Sequence, residues 1–235
     1  MSERIREIEP TYLLGVKIPR YECRCDCGRE YVAQRNNVDL CSDCWDKRAA
    51  AEVERQARRE AQGRANETLR SIPPVYRWAR LGSEDLAKLV TQDAIARATS
   101  DNGKLSIVFM GLAGSGKTSL ACAILRAKAD AAGAVGMFVN AFAVANARSQ
   151  HPIGHGEAPV VKDAMRSKVL LLDEFGADHG RNTAVAEVVH ARYESQLPTL
   201  YTTGFSLVEL KQRCGDGVVR RVFENAHVVV MGAKP

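Results

Sequence analysis

No run of apolar residues in this chain reaches the roughly 20 residues that a membrane-spanning helix needs. The amino terminus, Met1-Ser2-Glu3-Arg4-Ile5-Arg6, lacks the apolar stretch of a secretory signal. These two absences argue against a membrane partner and make a soluble, cytoplasmic protein the expectation. Internal repeats are missing, which argues against solenoids and arrays. A dominant charge is missing too. Lys and Arg number 33 against 28 Asp and Glu, leaving +5. That is a mild lean toward nucleic acid, concentrated in one segment. From Asp46 to Arg80 there are nine basic and five acidic residues. What is present suits a folded enzyme. The chain has 235 residues, 46% of them hydrophobic. This is enough for one full α/β domain and a small appendage.

The most informative stretch is Gly111-Leu112-Ala113-Gly114-Ser115-Gly116-Lys117-Thr118. It matches the phosphate-binding loop pattern of Gly, four residues, Gly, Lys, then Ser or Thr. An apolar run, Ile107-Val108-Phe109-Met110, precedes it, and a helix-like run from Ser119 to Lys128 follows. Gly111, Gly114, Ser115, Gly116 and Ser119 therefore belong to a loop and helix start whose N–H groups wrap a nucleotide's phosphates. Lys117 is placed to reach the β- and γ-phosphates of ATP, and the Thr118 hydroxyl to ligate Mg²⁺.

Lys168-Val169-Leu170-Leu171-Leu172-Asp173-Glu174 reads as a buried central strand ending in two carboxylates. Asp173 is expected to hold Mg²⁺ through water, and Glu174 to polarise the attacking water. A third strand, Thr199 to Thr203, ends in hydroxyls. One of them could bond the γ-phosphate or the water. Thr203 is assigned to the nucleotide with Thr202 as the alternative, and plain strand propensity explains both equally well.

Five of the seven cysteines lie between residues 23 and 44. Such clustering in a cytosolic chain points to metal rather than disulfides. Cys25-Asp26-Cys27-Gly28 and Cys41-Ser42-Asp43-Cys44, thirteen residues apart, have the layout of a four-thiolate structural Zn²⁺ site. Cys27, Cys41 and Cys44 are three ligands. Cys25 is favoured as the fourth, with Cys23 as the alternative. Four thiolates leave the metal no open position, so the expected role is structural. A segment of about 45 residues cannot bury a core alone, and zinc worth on the order of 10 kcal/mol would fix it.

The expected organisation is a zinc ribbon over 1–45, a charged helical linker over 46–71, and a nucleotide-binding domain over 72–235. The linker is rich in Ala, Arg and Glu, so it reads as a shallowly packed, solvated helix. Ile72-Pro73-Pro74 ends it. Helices are expected over 83–98, 183–196 and 216–226, and strands over 30–33, 135–139 and 227–231. Asp101-Asn102-Gly103 marks a turn. Residues 150–159 read as a loop whose His151 and His155 form no metal site.

Several of these segments occur in an order that resembles a known family. Gly111 to Thr118, Leu171-Leu172-Asp173-Glu174-Phe175-Gly176, Arg192-Tyr193-Glu194, Pro198 to Thr203 and Val218 to Glu224 look like the DnaC/DnaI replicative helicase loaders. The ATPase helpers of insertion-sequence transposition share that core. Both groups are AAA+ ATPases. The resemblance covers roughly residues 70–235, and the cysteine pairs ahead of it are similar to those of phage and bacterial loaders.

The resemblance implies an α/β P-loop AAA+ fold and slow, switch-like ATP hydrolysis. It also implies a replicative DNA helicase and single-stranded DNA as partners, and assembly into a homo-oligomer. Arg221 matches the arginine finger that completes a neighbouring subunit's site, with Arg220 as the nearby alternative. Two departures stand out. Gly204 replaces the family's usual Asn, so Thr202 or Thr203 substitutes or hydrolysis is slow. The sequence stops at Ala233-Lys234-Pro235, so a helical lid is expected to be missing or vestigial. The rival expectations are a transposition helper on double-stranded DNA with a transposase, and a non-catalytic, nucleotide-ordered adaptor.

Overall fold

The computed structural model describes residues 5–14, 16–34, 40–100, 105–152, 154–178 and 183–232. The expected turn at 101–103 and the residues 233–235 lie outside these. The chain divides into two compact units, Met1–Glu60 and Ala61–Pro235.

The first unit is an antiparallel sheet and the start of a long helix. Strands β1 (Ile5–Leu13) and β2 (Val16–Arg24) form a hairpin, and β3 (Glu30–Ala33) pairs with β2. The register of the hairpin shifts between Ile8 and Thr11, beside Pro10, which has no N–H to give the ladder. Helix α1 (Ser42–Ser71) follows and passes from the first unit into the second. Its exposed face carries local Glu–Arg pairs such as Glu54–Arg58, of the kind that support a solvated helix only weakly.

The last turns of α1 are packed more closely than their composition suggests. Thr68 is buried, and its hydroxyl accepts from the Gly136 N–H at 2.9 Å. The Ser71 hydroxyl accepts from the Phe138 N–H at 3.1 Å and donates to the Gly136 carbonyl at 3.3 Å. Gly136 and Phe138 belong to β5 (Gly136–Asn140), an outer strand of the sheet in the second unit. Two small hydroxyl side chains thus satisfy backbone groups that an uncovered sheet edge would leave open.

A 3₁₀ turn (Pro74–Tyr76) and helices α2 (Glu84–Leu89) and α3 (Gln92–Thr99) lead into the core. One helix was expected here. The break falls at Val90, because Ser83 and Thr91 each cap a separate helix, accepting from Leu86 N and Ala94 N. The core then runs β4 (Ser106–Gly111), α4 (Lys117–Ala131), β5, α5 (Ala141–Gln150), α6 (Pro159–Arg166), β6 (Val169–Asp173), α7 (Ala184–Glu194), β7 (Thr199–Thr203), α8 (Leu207–Cys214), α9 (Asp216–Glu224) and β8 (Ala226–Met231). Among the described residues no helix is long and apolar enough to cross a membrane.

The sheet has order β5-β6-β7-β4-β8 with every pair parallel. Successive strand residues face opposite layers. Ile107, Phe109, Leu171 and Val229 pack with Leu120, Cys122 and Leu125 of α4, while Val108, Leu170, Leu172 and Tyr201 pack with Val144, Val161, Val185 and Val188. Both faces are covered, as a continuous apolar strand such as β6 requires. All parallel strands therefore end on one rim, which carries Gly111, Asn140, Asp173 and Thr203.

The most deeply buried charged residue among those described is an arginine. Arg192, 1% exposed, donates to Thr199 Oγ1 at 2.8 Å, to the Ala164, Ser167 and Pro198 carbonyls at 2.8, 2.7 and 2.8 Å, and to Ser167 Oγ. It joins the end of α6 to the start of β7 without a carboxylate. Burial lowers its pKa to about 10, against which the carbonyls hold the cation in place. Arg192→Ala leaves several buried acceptors unpaired, so unfolding stability in urea should fall by about 3 kcal/mol or more. A loss below about 1 kcal/mol would contradict this role.

Candidate ATP site and thiolate cluster

The phosphate loop leaves β4, the strand between β7 and β8. Two glycines are sterically required. A Cβ on Gly111 (φ +153°) would lie 2.1 Å from the Met231 carbonyl oxygen, and one on Gly116 (φ +80°) would lie 2.8 Å from a Val90 methyl. The loop therefore sits tightly between β8 and the end of α2. Helix α4 opens at Lys117, so its first N–H groups face the loop.

Lys117 Nζ donates to the carbonyls of Gly111 at 2.8 Å and Leu112 at 2.7 Å. Its ammonium is held across the loop, and burial lowers its pKa. Ser115 is buried and its hydroxyl has no partner among the described residues. Ser119 is buried one turn into the helix register. An orphaned hydroxyl, a caged ammonium and a row of unpaired helix N–H groups together fit a polyphosphate.

The carboxylates fit the cation that accompanies it. Asp173 is 5% exposed, and its Oδ1 accepts from Thr118 Oγ1 at 2.9 Å and Thr202 Oγ1 at 2.6 Å. Burial raises its pKa, and the two hydroxyls oppose that rise. A buried carboxylate one hydrogen bond from the loop threonine suits Mg²⁺, a hard cation that takes oxygen ligands. Glu174 is exposed on the rim, with φ at +55°, and its N–H donates to Thr202 Oγ1 at 3.0 Å.

Asn140, at the end of β5, donates from Nδ2 to Glu174 Oε2 at 2.7 Å while its Oδ1 accepts from Phe142 N at 2.8 Å. It fixes one oxygen of Glu174. Asn140 directly follows the strand expected over 135–139 and is not among the site residues expected from sequence. Tyr76 lies beside the Thr118 hydroxyl; burial and the Asp173 charge raise its pKa.

The two candidate threonines of β7 face different neighbours. The Thr203 hydroxyl is buried, donates to the Phe175 carbonyl at 2.9 Å and accepts from Phe205 N at 3.2 Å. It anchors the chain leaving β6. Thr202 is the threonine that meets Asp173, because adjacent strand residues point to opposite faces. Arg221 stands elsewhere. It lies on α9, which leads into β8 at Ala226. Ser106 pairs with Ala226 and Gly111 with Met231, so the entry to β8 and the phosphate loop lie at opposite ends of the sheet. The separation is roughly 17 Å along the strands.

In the first unit, the Sγ atoms of Cys25, Cys27, Cys41 and Cys44 all lie within 4.8 Å of one another. Cys27 and Cys41 are 3.8 Å apart. Tetrahedral zinc with Zn–S near 2.3 Å spaces its sulfurs by about 3.8 Å. The knuckle turn is made by Gly28 N donating to the Cys25 carbonyl at 2.8 Å, with Gly28 at φ +86°. Cys23, the alternative fourth ligand, instead directs its thiol to the Tyr21 carbonyl at 3.7 Å. Backbone N–H groups of Cys27 and Cys41 push the Cys25 thiol down to about 6, while hydrogen bonds to Cys27, Cys25 and Cys41 push Cys44 up to about 12. The shared hydrogen bonds thus favour the thiolate at Cys25 and the thiol at Cys44. Replacing Cys41 and Cys44 by Ser should abolish the one zinc per chain measured by a chromogenic chelator, and a double variant with full zinc would contradict the ligand set.

Comparison with known proteins agrees with this geometry. The model of the family described as "IstB-like ATP binding protein" matches residues 47–233. Among solved structures, the DnaC helicase loader is 23% identical with TM-score 0.55, covering 68% of this chain and 99% of that one. DnaI is 20% identical with TM-score 0.49, covering 71% and 93%. The replication initiator DnaA bound to AMPPCP and single-stranded DNA is 19% identical with TM-score 0.50, covering 69% and 51%. No curated protein matches the chain. At these identities the DnaC and DnaA structures speak for the fold alone, the P-loop AAA+ arrangement expected from the sequence. The match over most of the chain carries the assignment: this protein belongs to the IstB-like ATP-binding protein family.

Proposed function

We propose that this protein hydrolyses ATP as a conformational switch and delivers a replicative DNA helicase to single-stranded DNA. The observation that carries the enzymatic half is the rim cluster of Thr118, Asp173 and Glu174, joined by hydrogen bonds through Thr202 and Asn140, with Lys117 held across the adjoining loop.

In this reading the loop N–H groups, Ser115 and Lys117 bind the phosphates of ATP, and Thr118 and Asp173 hold Mg²⁺. The metal, when bound, neutralises charge on the phosphate oxygens. Glu174 is exposed on the rim and acts as the base. As water oxygen bonds to the γ-phosphorus, the bond to the β-phosphate oxygen breaks, and the water proton passes to Glu174. Asn140 keeps one Glu174 oxygen engaged, so the other is aimed by a fixed carboxylate plane. Arg221 is too far from its own loop to act there and serves a neighbouring subunit in a homo-oligomer.

The loader half rests on two features. The core covers nearly the full length of the DnaC structure. A thiolate-built module precedes that core and offers a separate surface for tethering the helicase. The family description favours a second reading, a transposition helper that coats double-stranded DNA and binds a transposase.

Glu174→Gln should keep ATP binding and lower steady-state hydrolysis by about 100-fold or more. Hydrolysis at the wild-type rate would remove Glu174 from the mechanism. The partner is tested by mixing the protein with its host's replicative helicase and ATP and sizing the product. The loader reading expects a stable complex that the Cys41→Ser/Cys44→Ser variant fails to form. No complex from zinc-loaded, ATP-binding protein would favour the transposition helper, with filaments on double-stranded DNA as its signature.

A further inference from the structure

Two arginines stand side by side near the end of α9, and their surroundings differ. Arg220 is exposed and pairs with Glu224, Nη1 to Oε2 at 2.7 Å. A cation already neutralised by a carboxylate one turn away is poorly suited to a phosphate. Arg221 is half-buried. Its Nη1 donates to the Gly217 carbonyl at 2.9 Å, and its guanidinium carbon lies 5.8 Å from the centroid of the Tyr193 ring. Among the described residues Arg221 makes no ion pair.

Tyr193 is fixed in turn. Its hydroxyl donates to Glu224 Oε2 at 2.9 Å, the same oxygen that pairs with Arg220. Its neighbour Arg192 is bolted into the core by backbone carbonyls. The ring therefore has a rigid base on α7 and a hydrogen-bonded edge on α9. An aromatic face holds a guanidinium near it without neutralising it, whereas a carboxylate would. Glu224 occupies Arg220 and anchors the ring, so the pair of arginines is divided into one structural and one uncompensated cation.

Building on the proposed role of Arg221 in a neighbouring subunit, we infer that Tyr193 is a positioning residue for it. The ring face holds the Arg221 guanidinium extended from α9, and Glu224 keeps Arg220 from competing for the same phosphate. The reading assigns the contribution in trans to Arg221 rather than Arg220 and makes it depend on the aromatic face.

The test uses two full-length variants, each inactive in hydrolysis for a different reason. Arg221→Ala has an intact loop and no finger. Lys117→Ala has no nucleotide and an intact finger. Mixed, they should hydrolyse ATP at least about tenfold faster than the sum of the two alone. Further changes are then placed only in the Lys117→Ala chain. Adding Tyr193→Phe, which keeps the ring and loses the Glu224 bond, or Arg220→Ala should retain the gain to within about threefold. Adding Tyr193→Leu, which fills similar space without an aromatic face, should reduce it by about tenfold or more, as should Tyr193→Ala.

Thermal melting identifies any donor that fails to fold, and Tyr193→Leu decides if Tyr193→Ala does. A mixture of the parent variants with no gain would overturn the trans role of Arg221 itself. A gain that survives Tyr193→Leu would overturn the positioning role alone.

Discussion

A single carboxylate oxygen gathers the working end of this molecule. Asp173 Oδ1 accepts hydroxyls from Thr118, on the helix after the phosphate loop, and from Thr202, on the strand beside it. Three elements distant in sequence converge on that atom. Thr202 extends the connection by accepting the Glu174 N–H, and Asn140 closes it by donating to the Glu174 side chain. The arrangement works because every strand of the core sheet is parallel. Chain segments leaving β4, β5, β6 and β7 all emerge on one rim, where a nucleotide would lie. Burial would make a lone carboxylate costly, and the two hydroxyls compensate while leaving Oδ2 for a metal or its water.

The opposite end of the sheet has a different task. Arg221 and Tyr193 lie there, far from their own phosphate loop, which supports the proposal that Arg221 serves a neighbouring copy. Arg192, directly before Tyr193, fastens this end to the body of the domain. The result is a protein with a nucleotide-facing rim and a separate cation-presenting end, linked through a rigid sheet. The first unit adds a cluster of four cysteines placed as a structural metal site would need them.

Much of this was legible in the sequence, for identifiable reasons. Gly111 is forced by the Met231 backbone and Gly116 by its left-handed φ beside Val90, and β6 announces itself by an unbroken apolar run ending in two acids. Parallel strands buried on both faces leave little freedom in such a pattern. The choice between Thr202 and Thr203 was not legible, since adjacent strand residues differ only in which face they take. Cys23 and Cys25 were open for a related reason: both spacings suit a knuckle, and only the chain path shows Cys23 turned to a carbonyl. The β1–β2 hairpin escaped notice because its apolar residues are interleaved with Glu, Arg and Pro. Helices α6 and α8, eight residues each, are too short to show a period. The split between α2 and α3 was written in Ser83 and Thr91, two cap residues read as part of one helix.

The claim on which everything else rests is that Asp173 anchors Mg²⁺ beside a bound nucleotide. The most direct measurement is equilibrium binding of a fluorescent ATP analogue with Mg²⁺ and with chelator, for the wild type and for Asp173→Asn. An asparagine oxygen can still accept from Thr118 and Thr202, so the fold should survive. The account predicts that Mg²⁺ tightens wild-type binding by about tenfold or more and that Asp173→Asn loses most of this gain. Equal Mg²⁺ dependence in the two proteins would contradict it.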